Sequence, residues 1–276
     1  IKPSLRTQFG GPDGFFFGNL RLDYKAEILL KKSLSVKTAI SQGVANNFGE
    51  LKLASDSVLP HVRTDIVKYL KQGDGMTVNY LQIDQFLKPA KSIYLKASAG
   101  LFEQMFGGIG GEILYRPFNS DWAIGAEAWK VKQRDYDQMF NFLEYETLTG
   151  HLNFYYKEPR SQVLIMLKGG RFLAEDSGIH FDFSRRFKSG MRMGIFFAKT
   201  DISEFEFGEG SFDKGFYFFI PIETFFDNYS KGSTGFGLRP LTRDGAAFLK
   251  HRNTLYGVTD QGQSHTISRD WDDLYD

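Results

Sequence analysis

FFFGNLRLDYKAEILL, residues 15–30, is the stretch on which the fold turns. Within it Phe16, Leu20, Leu22, Tyr24, Ala26, Ile28 and Leu30 alternate with Asn19, Arg21, Asp23, Lys25 and Glu27. Side chains of a strand point to opposite faces in turn, so one face of this segment is apolar and the other is polar along its whole length. At roughly 3.3 Å per residue it reaches about 50 Å, longer than most strands of soluble domains.

Outward from this segment the pattern repeats. After a turn at Lys31 to Ser33, Leu34, Val36, Thr38 and Ile40 are set against Ser35, Lys37 and Ser41, which predicts a hairpin. Further strand-like runs lie near 76–87, 92–102, 109–117, 121–131, 144–157, 161–172, 178–188, 191–201, 212–221 and 245–257. Tight connections at 31–33, 88–91, 118–121, 158–160 and 188–190 alternate with longer ones near 43–75, 103–108, 132–143 and 202–211. Alternate turns of an antiparallel meander fall on the same rim, so one rim has short turns and the other long loops, as in outer-membrane barrels.

Twelve strands starting at Phe15 would leave both termini on the long-loop rim. Adding Ser4 to Phe9 and Ser233 to Arg239, with GGPDG from Gly10 as a turn, moves both to the short-turn rim. The expected fold is all-β: an antiparallel transmembrane β-barrel of about 12 to 14 strands over residues 1–257, with a polar tail over 258–276. LPHVRTDIVKYL from Leu59 spaces Leu59, Val62, Ile66, Val67 and Leu70 helically after a proline, which predicts a short amphipathic helix in the longest loop.

Composition agrees. Aromatic residues make up 16% of the chain, with 28 Phe and 13 Tyr beside 29 Gly and only 8 Pro, a mixture that favours strands over helices. No uninterrupted apolar run of about 18 residues exists, which excludes an ordinary transmembrane helix but not a barrel, whose strands alternate. Lys and Arg number 34 against 33 Asp and Glu, so no bulk attraction to nucleic acid is available. The absence of Cys removes thiolate chemistry and suits a chain that crosses an oxidising periplasm. Opening at Ile1 without an export signal, the chain reads as a mature or trimmed fragment.

No catalytic constellation is expected. GGIGGEILYRP from Gly107 lacks both the P-loop lysine and GxGxxG spacing, and its glycines instead suit a bulge, a bend or close backbone approach. Glu112, Leu114 and Arg116 share one face there, which could set an ion pair in the lumen. EFEFGEGSFDKG from Glu204 groups Glu204, Glu206, Glu209 and Asp213, but loop spacing alone establishes neither a glycosidase pair nor a calcium site. His61, His151, His180, His251 and His265 are scattered without zinc-binding spacing, so no metal and no cofactor are expected. Polar faces interleaved with aromatics suit sugars, whose hydroxyls meet charged groups and whose ring faces meet aromatic ones. The lumen and glycan-binding candidates are therefore Arg21, Asp23, Lys25 and Glu27, Glu112 and Arg116, Arg134 and Tyr136, Asp182 and Arg186, and Glu206, Glu209 and Asp213.

Several strings in order, among them FGGPDGF from Phe9, LPHVRTDIVKYL, GGIGGEILYRP, QRDYDQMF from Gln133, TGHLNFYY from Thr149, GGRFLAEDSG from Gly169 and RPLTRDGAAFL from Arg239, resemble the YjbH family, also represented by GfcD. The resemblance runs along nearly the entire chain, as the carboxyl-terminal portion of longer members. It implies an outer-membrane location, often as a lipoprotein, and a β-rich membrane fold serving exopolysaccharide and group 4 capsule secretion. Implied partners are the polysaccharide, periplasmic exopolysaccharide-assembly proteins, outer-membrane lipid and the amino-terminal portion of the same protein. No catalytic residues carry over. The expected role is thus a conduit or glycan-binding element for an anionic or neutral polymer. The rivals are an outer-membrane enzyme modifying glycan or lipid through the Glu204 to Asp213 loop, and a soluble β-sandwich or adhesin-like module.

Overall fold

The computed structural model describes the chain except for residues 10–13, 52–56, 188, 204–205, 207–211, 223–232, 239–243, 261 and 270–276. Thirteen strands form one antiparallel sheet in sequence order: β1 (Lys2–Phe9), β2 (Phe16–Lys31), β3 (Leu34–Asn46), β4 (Met76–Ala90), β5 (Ile93–Leu101), β6 (Phe106–Tyr115), β7 (Trp122–Arg134), β8 (Phe142–Lys157), β9 (Val163–Arg171), β10 (Ser177–Arg186), β11 (Arg192–Thr200), β12 (Asp213–Pro221) and β13 (Ser233–Leu238). Among the described residues, three short α-helices and one 3-10 turn (Phe48–Glu50) accompany them: α1 (Ile66–Lys71), α2 (Leu255–Asp260) and α3 (Ser264–Arg269). None of these is long and apolar enough to cross a membrane.

The alternation read in the sequence becomes an inside-out sheet. On β7 and β8 the buried face carries Glu127, Trp129, Thr149, His151 and Asn153, whereas Ile124, Leu148, Leu152 and Phe154 are exposed, Leu152 to 71%. On β4 the inward Gln82 and Asp84 are fully buried while Leu81 and Ile83 face out. A sandwich would show the reverse, with the greasy faces of two sheets pressed together, so the two-layer arrangement is corrected to a single sheet. The sheet also curls on itself. β1 and β2 at one end and β10 to β13 at the other line the same partly open cavity of about 910 Å³, although no pairing joins β1 to β13 among the described residues.

One strand of the sequence reading is overturned. Residues 245–257 form no strand, because Ala246 (φ 57°) and Asn253 (φ 54°) take left-handed backbone conformations that break an extended run. Residues 244–254 instead run through the interior as a strap, and side chains of the wall replace the hydrogen bonds of a neighbouring strand. Asp176 accepts from the Ala246 N–H at 2.7 Å, Glu103 from Lys250 at 3.3 Å, and Gln82 from Arg252 at 3.0 Å. The strap starts at the long-loop rim, where Asp244 accepts from the N–H groups of Arg63 and Thr64. It ends at the short-turn rim in α2. The return pass of the chain is therefore inside the sheet, and it brings the carboxyl-terminal end of the described chain to the short-turn rim, whereas β1 begins level with Asp23, midway along β2. Beyond Val258, where a polar tail was expected, α2 continues to Asp260 and α3 follows.

GGIGG on β6 contains no bulge; its pairing with β5 and β7 runs without a register shift. Its glycines serve close approach, since a Cβ on Gly110 would lie 2.3 Å from the Ala128 carbonyl oxygen. In the longest loop the predicted helix is α1, a single short segment whose Tyr69 and Leu70 are buried under the rim.

Candidate functional site

The interior is layered by the strap. Near the long-loop rim an apolar cluster joins Val62, Tyr69, Phe102, Phe106 and Trp129 to Ala247 and Leu249. Near the short-turn rim a second one joins Leu114, Ala123 and Tyr155 to Leu255 of α2. Between them lies a layer of buried charge.

That layer is centred on His251 of the strap. Its Nε2 lies 3.1 Å from Glu127 and its Nδ1 3.4 Å from Glu112, and its ring stacks on Trp129 with centroids 4.3 Å apart. The Lys96 ammonium donates to Glu112 at 2.7 Å and to the Asn253 and Arg252 carbonyls at 3.0 and 3.1 Å. Lys168 donates to Glu127 at 3.0 Å, and Trp129 Nε1 donates to the same carboxylate at 3.1 Å. Glu112, Glu127 and His251 lie close enough together to hold a metal ion. The two ammonium groups already supply the positive charge that a cation would bring, so the cluster is a charge-compensated network. Sequence reasoning passed over His251, Glu127, Lys96 and Lys168, because the groups that meet are up to 157 residues apart along the chain.

Glu112 and Arg116 do share an inward face, but they form no ion pair with each other. Arg116 instead holds the foot of the strap, donating to Asp260 at 2.6 Å and to the Tyr256 carbonyl at 2.9 Å while lying over the Tyr256 ring. Tyr155 stacks on the other side of that system, 4.0 Å from Tyr256 and nearly parallel to it. Replacing Arg116 with Met is expected to cost about 2 kcal/mol, because Asp260 and the Tyr256 carbonyl lose a charged donor. Protease cleavage at 255–269 would reveal it, and cleavage no faster than in the unaltered protein would refute this role.

Four other candidates are not among the residues that line the cavity described above. Arg134 is fully buried and donates to the carbonyls of Glu103, Gln138 and Met139, pinning the 135–141 loop to the 102–105 turn, which is four residues long where a longer connection was expected. Tyr136 donates to Asp65 and packs edge-on against Tyr69, tying down α1. Arg186 is exposed at the end of β10, and Glu27 pairs with Lys37 at 3.0 Å. The acidic loop does not form a carboxylate pair among the described residues. Glu206 is exposed, with Ser203 donating to it through N–H and O–H, which holds its carboxyl below the ordinary value. Asp213 is buried at the start of β12, and Glu204 and Glu209 lie outside the described residues.

Arg21, Asp23, Lys25 and Asp182 remain, and the fold does bring these together on the wall of the 910 Å³ cavity. Asp23 accepts from Ser41 at 2.6 Å, and Asp182 accepts from the Tyr217 hydroxyl at 3.0 Å. Arg6, Arg192 and, from the strap, Arg252 join them. The cavity is thus a polar chamber with aromatic walls, bounded by both ends of the sheet, the strap and the loop that leads into α1.

This inside-out sheet, with its strap and chamber, coincides with a family match. The profile described as "exopolysaccharide biosynthesis protein YbjH" matches residues 1–261. The chain belongs to the YjbH family. It is similar to the Escherichia coli (strain K12) protein named "uncharacterized lipoprotein YjbH", being 35% identical over 266 residues, which are 94% of this chain. It spans 38% of the length of that relative. The YjbH family is an exopolysaccharide-biosynthesis family, and within it this chain is an all-antiparallel sheet domain.

Proposed function

We propose that this chain is an outer-membrane barrel domain of a larger envelope protein and that it serves exopolysaccharide or capsule secretion by holding polymer in its interior chamber. The observation that carries this reading is the reversal of polarity: a belt of exposed Leu, Ile and Phe surrounds a wall of buried charge. Hydrocarbon is the surrounding that rewards such a surface, and a closed or nearly closed antiparallel sheet is the strand architecture that can enter it. With the strap crossing the interior, holding a glycan fits the geometry better than free passage of one. The short-turn rim, which carries α2 and α3, faces the periplasm in this reading and is where assembly proteins and the rest of the protein meet the domain. No reaction is part of the proposal.

The test is a strain that lacks the whole protein. Released polymer is expected to fall while its sugar composition and substituents stay the same, and extraction of the complementing protein should require detergent. Unchanged release, or monodisperse protein in plain buffer, would overturn the reading. Polymer altered in linkage or substituents would instead favour an enzyme.

A further inference from the structure

Resting on the holding role just proposed, the charge of the chamber narrows what it holds. Seven basic side chains line it against three acidic ones. The acids are already engaged: Asp23 by Ser41, Asp182 by Tyr217, and Glu103 by Arg63 at 2.8 Å. Four of the cations form no ion pair with any carboxylate among the described residues. Arg6 donates to the Gln104 amide at 3.1 Å, Arg192 to the Ser184 hydroxyl at 3.1 Å, and Arg252 lies over the Tyr80 ring. The fourth, Arg21, keeps a buried Nε with no acceptor.

Guanidinium groups without an ion-pair partner, gathered around one cavity from β1, β2, β11 and the strap, repel one another, and a barrel needing only internal pairing would match them with carboxylates. The buried layer around His251 does so in this same molecule: Lys96 and Lys168 each have a glutamate. Guanidinium is the group suited to bind an oxyanion through paired N–H donors, and Tyr80 and Tyr217 beside it offer ring faces to a sugar. We infer that the chamber is a binding site for an acidic saccharide, whose carboxylate is taken by Arg21 and Arg192 from opposite ends of the sheet.

The full-length protein in detergent micelles would be titrated with an oligogalacturonate, with a neutral maltooligosaccharide of equal length, and with inorganic sulfate. Oligogalacturonate is expected to bind, and to weaken about tenfold when either Arg21→Gln or Arg192→Gln removes one charged hydrogen-bond partner. It should also weaken steeply between about 50 and 500 mM salt, as screening shortens the reach of the exposed charges. Heat-modifiable migration of both variants verifies that they fold. Equal binding of the neutral oligomer, without salt dependence, would overturn the acidic specificity and leave the holding role standing. Sulfate binding as tightly as the oligomer would overturn the saccharide part. Binding of no probe would overturn the inference, and the release experiment above decides separately whether the holding role falls with it.

Discussion

Replacing Glu127 with Leu is expected to remove about 3 to 5 kcal/mol of folding stability, the largest effect of any single substitution considered for the interior. The carboxylate is nearly inaccessible and is shared by Lys168, His251 and the Trp129 indole. Its loss leaves the Lys168 ammonium without a counter-charge in a place that water reaches poorly. It also takes away the partner of His251 Nε2, and so weakens the hold on the strap at its midpoint. The temperature at which the folded, fast-migrating gel band is lost should fall clearly. Pairing Glu127→Leu with Lys168→Met should recover much of the loss, because the stranded charge leaves with its partner. A variant as heat-resistant as the parent would show that the network does not hold the interior together.

A charge on the outer belt should act differently. Leu152→Arg puts a guanidinium at the most exposed apolar site of β8, well inside the span of the strand. If that face meets hydrocarbon, the cost is about 2 to 4 kcal/mol near the bilayer midplane, and folding yield into lipid vesicles should drop. If the face met water, an exposed Leu→Arg change would cost almost nothing. Vesicle folding of Leu152→Arg equal to that of Leu152→Ala would therefore remove the physical basis for the membrane reading.

The reading of residues 15–30 carried over almost unchanged into β2, with Leu20, Leu22 and Ile28 outward and Asn19 and Asp23 inward. The short stretches near 4–9 and 233–239 became β1 and β13, which brought the count to thirteen. The rim asymmetry held only in part: the connections from Asn46 to Met76 and from Thr200 to Asp213 are long, but β5 turns into β6 within 102–105 on that same rim, and Pro221 and Ser233 bound a long connection on the other. Four candidate residues, Arg21, Asp23, Lys25 and Asp182, met at the chamber because inward parity is a local property of each strand. Arg134 and Tyr136 had the same kind of pattern, yet they lie where strands end and loops must be anchored, so their polar atoms are consumed by backbone and by α1.

Periodicity alone thus specified which side of each strand is greasy, because a strand's two faces depend on nothing beyond its own residues. The course of residues 244–260 was beyond its reach. An apolar run such as AAFL can lie in a sheet or pack inside one, and the choice depends on partners from β4 to β8 that fall far away along the chain. The pairing of His251 with Glu112 and Glu127, and the excess of unpaired arginines across the chamber, exist only once the curled sheet brings distant strands face to face.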